Sequence, residues 1–141
     1  MDGDIAPLSE IAELAKKYDA ILMVDDAHAT GVFGKHGKGL IEHCGIGEKV
    51  DIIMGSLSKA VGSIGGFIAG STCLIDFLKN KARSFIYTTA LPPAVCAASL
   101  AGLKLIQEDA SLMGKLWENI QYLRAQLSKY VSAIQVESPI I

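Results

Sequence analysis

Apolar positions along this chain follow two rhythms. Behind Pro7, a residue suited to a first helical turn, Leu8, Ile11, Ala12, Ala15 and Tyr18 recur at helical spacing and predict a helix. "AILMVDD" (20–26) is instead a continuous apolar run ending in two acids, the pattern of a strand buried on both faces. "VDIIMGS" (50–56) has the same form, and "GGFIAG" (65–70) follows closely enough to return antiparallel. The glycine-rich loop "HATGVFGKHGKG" and a short helix, "LIEHCG", separate the first two strands. Downstream, "TCLIDFLKNKA" predicts a helix and "SFIYTTA" a short extended piece. A long helix begins near Pro92 or Pro93 and carries a stripe of small residues, Ala94, Ala97, Ala98, Ala101 and Gly102. A last amphipathic helix, about 110–131, sets Leu112, Leu116, Ile120, Leu123 and Leu127 on one face, before the run "VESPII". Strands alternating with helices predict an α/β fold with a mainly parallel sheet and one antiparallel strand.

Composition narrows the class. The 141 residues suffice for one domain with a sizeable core. With 50% hydrophobic and 20% charged residues, the chain is apolar for a free-standing domain, so some of this surface is expected to meet a partner or another part of a longer chain. A formal net charge of -2, with no basic block, argues against a nucleic-acid partner. The sequence has no membrane-spanning apolar run and no signal peptide, which leads to an expectation of a cytoplasmic protein. Cys44, Cys73 and Cys96 lie far apart with no CxxC and read as free thiols in a reducing compartment.

The chemistry gathers at strand ends, where open parallel sheets bind ligands. Asp25 and Asp26 close the first strand, with His28 just beyond, and Ser56 to Lys59 follow the second. A crossover connection makes these strands neighbours or near neighbours, so a carboxylate, a histidine, hydroxyls and an amine surround one crevice. A lysine that forms a Schiff base needs a partly desolvated site and little bulk nearby, and Ser56, Ser58, Ala60 and Gly62 leave that space. A carboxylate at the neighbouring strand end can keep a pyridine nitrogen protonated, which is the protein's part in pyridoxal phosphate chemistry. Blander readings stand beside this one: a solvated acidic pair, a surface lysine, a loop histidine. Asp25, Asp26 and His28 could also ligate a metal, although no second cluster completes a site. "GSLSKA" departs from a phosphate-binding P-loop because Ser58 precedes the lysine and Ala60 follows it. "GSIGG" precedes a strand rather than following one, so it is a weak dinucleotide fingerprint. His36, His43 and the cysteines read as structural, and Trp117 as a helix-packing residue.

Four motifs in order, "MDGDIAPL", "LMVDDAHATGVFGKHGKG", "GSLSKAVGSIGGFIAG" and "FIYTTALPPA", resemble the α-oxoamine synthases, pyridoxal-phosphate enzymes of the aspartate-aminotransferase fold (fold type I). The resemblance covers nearly the whole chain. It implies that Lys59 is the lysine that bonds to the cofactor, that Asp25 pairs with the pyridine nitrogen, and that His28 contacts the phenolic oxygen and orients the reacting acid. Ser56 stands at a phosphate-ligand position where the family often has threonine. Thr88 and Thr89 match a segment that reaches the cofactor phosphate of the neighbouring subunit, which implies a homodimer with shared active sites. No metal is implied.

The implied reaction joins an amino acid to an acyl thioester with loss of carbon dioxide. "DDAHATG" and "TALPPAVCAASLAGLKLI" point within the family to the biotin-pathway reaction, L-alanine with a pimeloyl thioester on coenzyme A or a carrier protein. Glycine C-acetyltransferase, serine palmitoyltransferase and 5-aminolevulinate synthase are the alternatives. Because such enzymes are much longer, the chain is expected to be part of one. Residues 1–110 would form the second half of the cofactor-binding large domain, and 111–141 a helix leading towards a small domain. On this expectation the chain alone is inactive, and a non-catalytic fragment is the remaining alternative.

Overall fold

The structure is a computed structural model and describes residues 3–130 and 137–140. Helix α1 (Leu8–Lys17) leads to strand β1 (Met23–Asp25), and a glycine-rich loop then reaches the short helix α2 (Leu40–His43). A single 3-10 turn (Gly47–Lys49) precedes β2 (Ile52–Ser56) and β3 (Gly66–Gly70). Helices α3 (Thr72–Lys81), α4 (Arg83–Ile86), α5 (Pro93–Glu108) and α6 (Ser111–Leu127) complete the described chain.

The sheet order is β1-β2-β3, with β2 central. β1 runs parallel to β2, with Asp25 opposite Met54. β3 returns antiparallel, with Ser56 opposite Gly66. The adjacency and directions match the α/β prediction. β1 is shorter than the predicted 20–26 because its entry is irregular. The Leu22 N–H goes to the Asp51 carboxylate (2.8 Å), and the Leu22 carbonyl accepts from both Asp51 and Ile52 (3.0 and 3.1 Å).

Alternation along β1 gives the sheet two unlike faces. Leu22 and Val24 join Leu8 and Ala12 of α1, Ile41 of α2 and Ile46 in the core, with Ile53 of β2 packed against them. Each large aliphatic side chain buried there contributes about 1.5–3 kcal/mol. Burial on both faces, as the sequence predicted, is not observed: Ile21 is 78% and Met23 54% exposed. β1 is thus covered on one side only by the described residues.

"SFIYTTA" is not extended. The amides of Phe85 and Ile86 both return to the Ala82 carbonyl, and that of Tyr87 to Arg83, winding α4. Local winding after α3 overrides the extended preference of the aromatic and β-branched residues. On α5 the buried face is also different from the alanine stripe. Ser99 is its buried residue, with Val95, Gly102 and Ile106 half-buried, whereas Ala94, Ala97, Ala98 and Ala101 are exposed. On α6, Ile120 is buried, but Leu112 and Leu123 of the predicted apolar face are 52% and 46% exposed. Its attachment is instead through Trp117, whose Nε1–H donates to the Val32 carbonyl (2.9 Å) and whose ring meets Phe33 edge-on. The predicted end of this helix near 131, and Val136 and Ile141 of "VESPII", lie outside the described residues.

Candidate active site

Asp25 and Asp26 separate at the end of β1. Asp25 continues the exposed face of Ile21 and Met23, and uses its Oδ1 to accept from the Ala27 N–H (3.0 Å), a tight turn that starts the loop. Asp26 continues the covered face and is 3% exposed. Its Oδ1 accepts from the Leu40 N–H at 3.1 Å, and its Oδ2 has no partner among the described residues. The loop between these two residues is therefore tied at both ends. Gly39, at φ +97°, closes against that carboxylate: a Cβ there would lie 1.8 Å from Asp26 Oδ2. Burial pushes the Asp26 carboxyl above its ordinary range. The Leu40 and Ile41 amides oppose that push, and the neighbouring Asp25 charge adds to it.

His28 is exposed in the first turn of the loop, three residues beyond Asp25. The turn is held by the Asp26 carbonyl, which accepts from the Ala29 and Thr30 amides (3.0 and 2.9 Å) and the Thr30 hydroxyl (3.0 Å). Because Asp25 and Asp26 lie on opposite faces, the structure does not bring Asp25, Asp26 and His28 together as one cluster. Among the described residues no group of three or more His, Cys, Asp or Glu is placed to hold a metal ion.

Lys59 occupies the turn between β2 and β3. The ends of this turn are bonded to each other, Leu57 N to the Gly65 carbonyl (2.9 Å) and Ser63 N to the Leu57 carbonyl (2.8 Å). Gly62 N returns to the Lys59 carbonyl (2.9 Å) at the tip. Leu57 and Val61 are buried on either side, while Lys59 itself is exposed. At its entrance, Ser56 Oγ and Ser58 Oγ are 2.7 Å apart, and the Ser58 N–H donates to Ser56 Oγ at 3.1 Å. The small residues around Lys59 have two functions. A Cβ on Gly62 would meet nothing within 4 Å, so that side is open. A Cβ on Gly31 would lie 2.7 Å from Ala60 Cβ, and one on Gly102 2.6 Å from the Val61 carbonyl, so the loop after β1 and helix α5 press directly on the turn.

The structure thus places Asp25, His28, Ser56 and Lys59 at the carboxyl ends of two adjacent parallel strands, as the sequence predicted. Thr88 and Thr89 are exposed beyond α4, with Thr88 on the wall of a cleft of about 620 Å³ that also includes Met54, Gly66, Phe67 and Phe85. His36 and His43 are structural: the first pairs with Glu42 (2.6 Å), and the second packs edge-on to Phe33. Sequence reasoning missed Asp26 as the anchor of the loop and Ser63 and Ser99 as supports of the turn. Ser99 did carry a signal, being the lone hydroxyl in the alanine-rich run of α5.

Known proteins resemble this chain in sequence and in fold. The 8-amino-7-oxononanoate synthase of Thermosipho melanesiensis is 51% identical over 129 residues, 92% of this chain and 33% of that protein. The 8-amino-7-oxononanoate synthase 1 of Bacillus subtilis is 49% identical over 142 residues, 100% of this chain and 36% of that protein. A Sphingomonas wittichii serine palmitoyltransferase structure superposes with a TM-score of 0.91 at 34% identity, covering 99% of this chain and 35% of that one. For 8-amino-7-oxononanoate synthase from Francisella tularensis the TM-score is 0.72 at 31% identity, over 90% of this chain and 39% of that one. The chain therefore spans about a third of the length of the curated relatives it matches. All of residues 1–141 match the aminotransferase class I and II pattern, and the chain belongs to that family.

Proposed function

We propose that the full-length protein is a pyridoxal-phosphate-dependent C-acyltransferase. It condenses L-alanine with a pimeloyl thioester, releasing carbon dioxide and the free thiol and giving 8-amino-7-oxononanoate. The observation that carries this reading is the placement of Asp25 and Lys59 at neighbouring carboxyl ends of parallel strands. The names of the curated relatives support the product, 8-amino-7-oxononanoate, and solved serine palmitoyltransferase structures are described with pyridoxal phosphate.

The donor set fits that cofactor. Among the described residues Asp25 Oδ2 has no hydrogen-bond partner, which leaves it on the open face for a ring nitrogen. With the Ser58 N–H and hydroxyl both donating to Ser56 Oγ, the Ser56 hydroxyl keeps its own proton to donate to a phosphate, and an exposed amine follows at Lys59. The space over Gly62 admits a flat ring. When bound, pyridoxal phosphate supplies an aldehyde carbon open to amines and a ring that withdraws electrons from the amino acid's α-carbon.

Lys59 anchors the cofactor between turnovers. Its free amine would stand beside the substrate's α-carbon, where it can take and return a proton. Asp25 holds a proton on the ring nitrogen by charge pairing. His28 contacts the phenolic oxygen and orients the reacting acid, and Ser56 donates to the phosphate. Thr88 and Thr89 would donate to the phosphate bound by a second copy, which makes the working protein a homodimer, and we place it in the cytoplasm. Residues 1–110 belong to its cofactor-binding large domain, and 111–141 lead towards a small domain. Among the described residues no helix is long and apolar enough to cross a membrane.

Lys59→Ala in the full-length protein is the test. Borohydride should fix the cofactor covalently to the unaltered protein and not to the variant, and thioester-dependent release of carbon dioxide should be lost. Fixation to the variant would refute the assignment of Lys59. The closer structural likeness to serine palmitoyltransferase sets a rival substrate pair, L-serine with a palmitoyl thioester. Faster turnover of that pair than of alanine with pimeloyl thioester would replace the proposed substrates while keeping the machinery.

A further inference from the structure

Helix α5 is alanine-rich where it passes behind the Lys59 turn, yet its buried residue is a serine. Ser99 is 7% exposed. Its Oγ lies 2.8 Å from Ser63 Oγ and 2.8 Å from the Val95 carbonyl, while Ser63 Oγ lies 3.3 Å from that same carbonyl. Each hydroxyl has one proton, so two closed arrangements exist. Ser99 donates to Val95 while Ser63 donates to Ser99, or Ser99 donates to Ser63 while Ser63 donates to Val95. Both leave the two hydroxyls satisfied, and both link the helix to the turn.

Alanine would fill this helix position with better helix propensity, so packing alone does not call for a hydroxyl. What the hydroxyl adds is direction. Ser63 belongs to the closed turn, through its amide on the Leu57 carbonyl. One turn of helix further on, Gly102 lets the Val61 carbonyl approach to 2.6 Å from where a Cβ would stand. From the other side, Gly31 meets Ala60. The residues following Lys59 are therefore gripped at Ala60, Val61 and Ser63, and the hydroxyl pair is the polar contact between that turn and α5. The lysine itself is left free to reach outward.

We propose that Ser99, acting through Ser63, is a positioning residue that fixes where the Lys59 amine stands relative to Asp25. The inference rests on the proposed role of Lys59. Removing the link leaves the binding groups of Asp25 and Ser56 in place but lets the turn shift, and proton transfer suffers from displacements smaller than those that disrupt binding. In the full-length protein, Ser99→Ala should lower kcat roughly tenfold with KM for alanine within about twofold, since small misplacements of a reacting group are costly. Ser63→Ala should cost at least as much, because Ser99→Ala still lets Ser63 reach the Val95 carbonyl, and the double variant should lose no more than Ser63→Ala alone. Ser99→Thr, which keeps the hydroxyl, should recover most of kcat.

The series includes Lys59→Ala with borohydride fixation as its control. If the cofactor is fixed to Lys59→Ala, both the functional reading and this inference fall. If fixation is lost there, yet Ser99→Ala and Ser63→Ala turn over at the unaltered rate, only the positioning role is overturned. Additive losses in the double variant, or a failure of Ser99→Thr to recover kcat while its thermal midpoint stays normal, would equally count against it.

Discussion

Asp25 and Asp26 are the same residue one position apart, and the fold uses them in opposite ways. Asp25 lies on the face of the sheet left uncovered by the described residues and gives one oxygen to the loop it starts, the other having no partner among them. Asp26 lies on the covered face, caps the far end of the same loop, and has a carboxyl group pushed up by burial. An accessible carboxylate can charge-pair with a ligand's cation. A buried one on a backbone amide can only hold the chain. The period of two along a strand separates chemistry from architecture here, and substitutions on the two sides should fail differently.

The largest expected effect is at Asp25. In the proposed role Asp25→Asn removes the charge that would keep a ring nitrogen protonated, and activity of the full-length protein should fall by roughly two to four orders of magnitude, the scale of a lost proton-positioning group. The exposed position predicts an unchanged thermal midpoint. Exchange of the alanine α-proton with solvent deuterium measures the first, and a melt the second. A folded variant with near-normal exchange would remove Asp25 from the site.

Gly102→Ala comes next. The new Cβ would press on the Val61 carbonyl, and a backbone oxygen cannot rotate away. The helix-propensity gain of about 1 kcal/mol partly offsets the strain. Turnover should therefore fall by more than the thermal midpoint suggests, with the turn carrying Lys59 displaced. A normal kcat would show that the contact between α5 and the turn can relax without moving the amine.

These sites also mark how far the sequence could be read. The strand ends and the lysine between glycines were legible because strand alternation and small residues leave local marks. The single-sided burial of β1 was not, since a continuous apolar run looks the same whether one face or two are covered. The face of α5 was misassigned for a related reason. A stripe of alanines is small enough to face solvent or a neighbour and so marks no buried face, and Ser99 packs inward for its hydroxyl rather than for hydrophobicity. α4 was hidden because its residues favour strands, while the chain leaving α3 keeps winding.

On the covered side, Gly39→Ala tests the anchor. Its φ of +97° disfavours any side chain, and the added methyl would occupy the space of Asp26 Oδ2. The cost should be about 1–3 kcal/mol, as for strained backbone positions. Urea titration should reveal it as a lower midpoint with an unchanged slope. Activity per folded molecule should change less than in Gly102→Ala, because the loop anchor lies on the face opposite Asp25.

Asp26→Asn should have the smallest effect at the active site and the most distinctive dependence on pH. Asparagine keeps an oxygen for the Leu40 amide and removes the buried charge, so kcat should stay within a few-fold of the unaltered protein. The sign of the pH effect follows from the raised carboxyl. Between the ordinary value of 3.8 and the higher folded value, the folded chain holds a proton that the unfolded chain has released. Stability from this group is therefore present below 3.8 and is lost as pH rises through that window. The asparagine variant lacks this loss, so its stability relative to the unaltered protein should climb with pH above 3.8 and then level off. Urea midpoints for both proteins across that range measure the difference. A flat difference would mean that Asp26 titrates like a solvated carboxylate, and a falling one that its charge is stabilised by the loop. Either result would erase the contrast between the two neighbouring carboxylates.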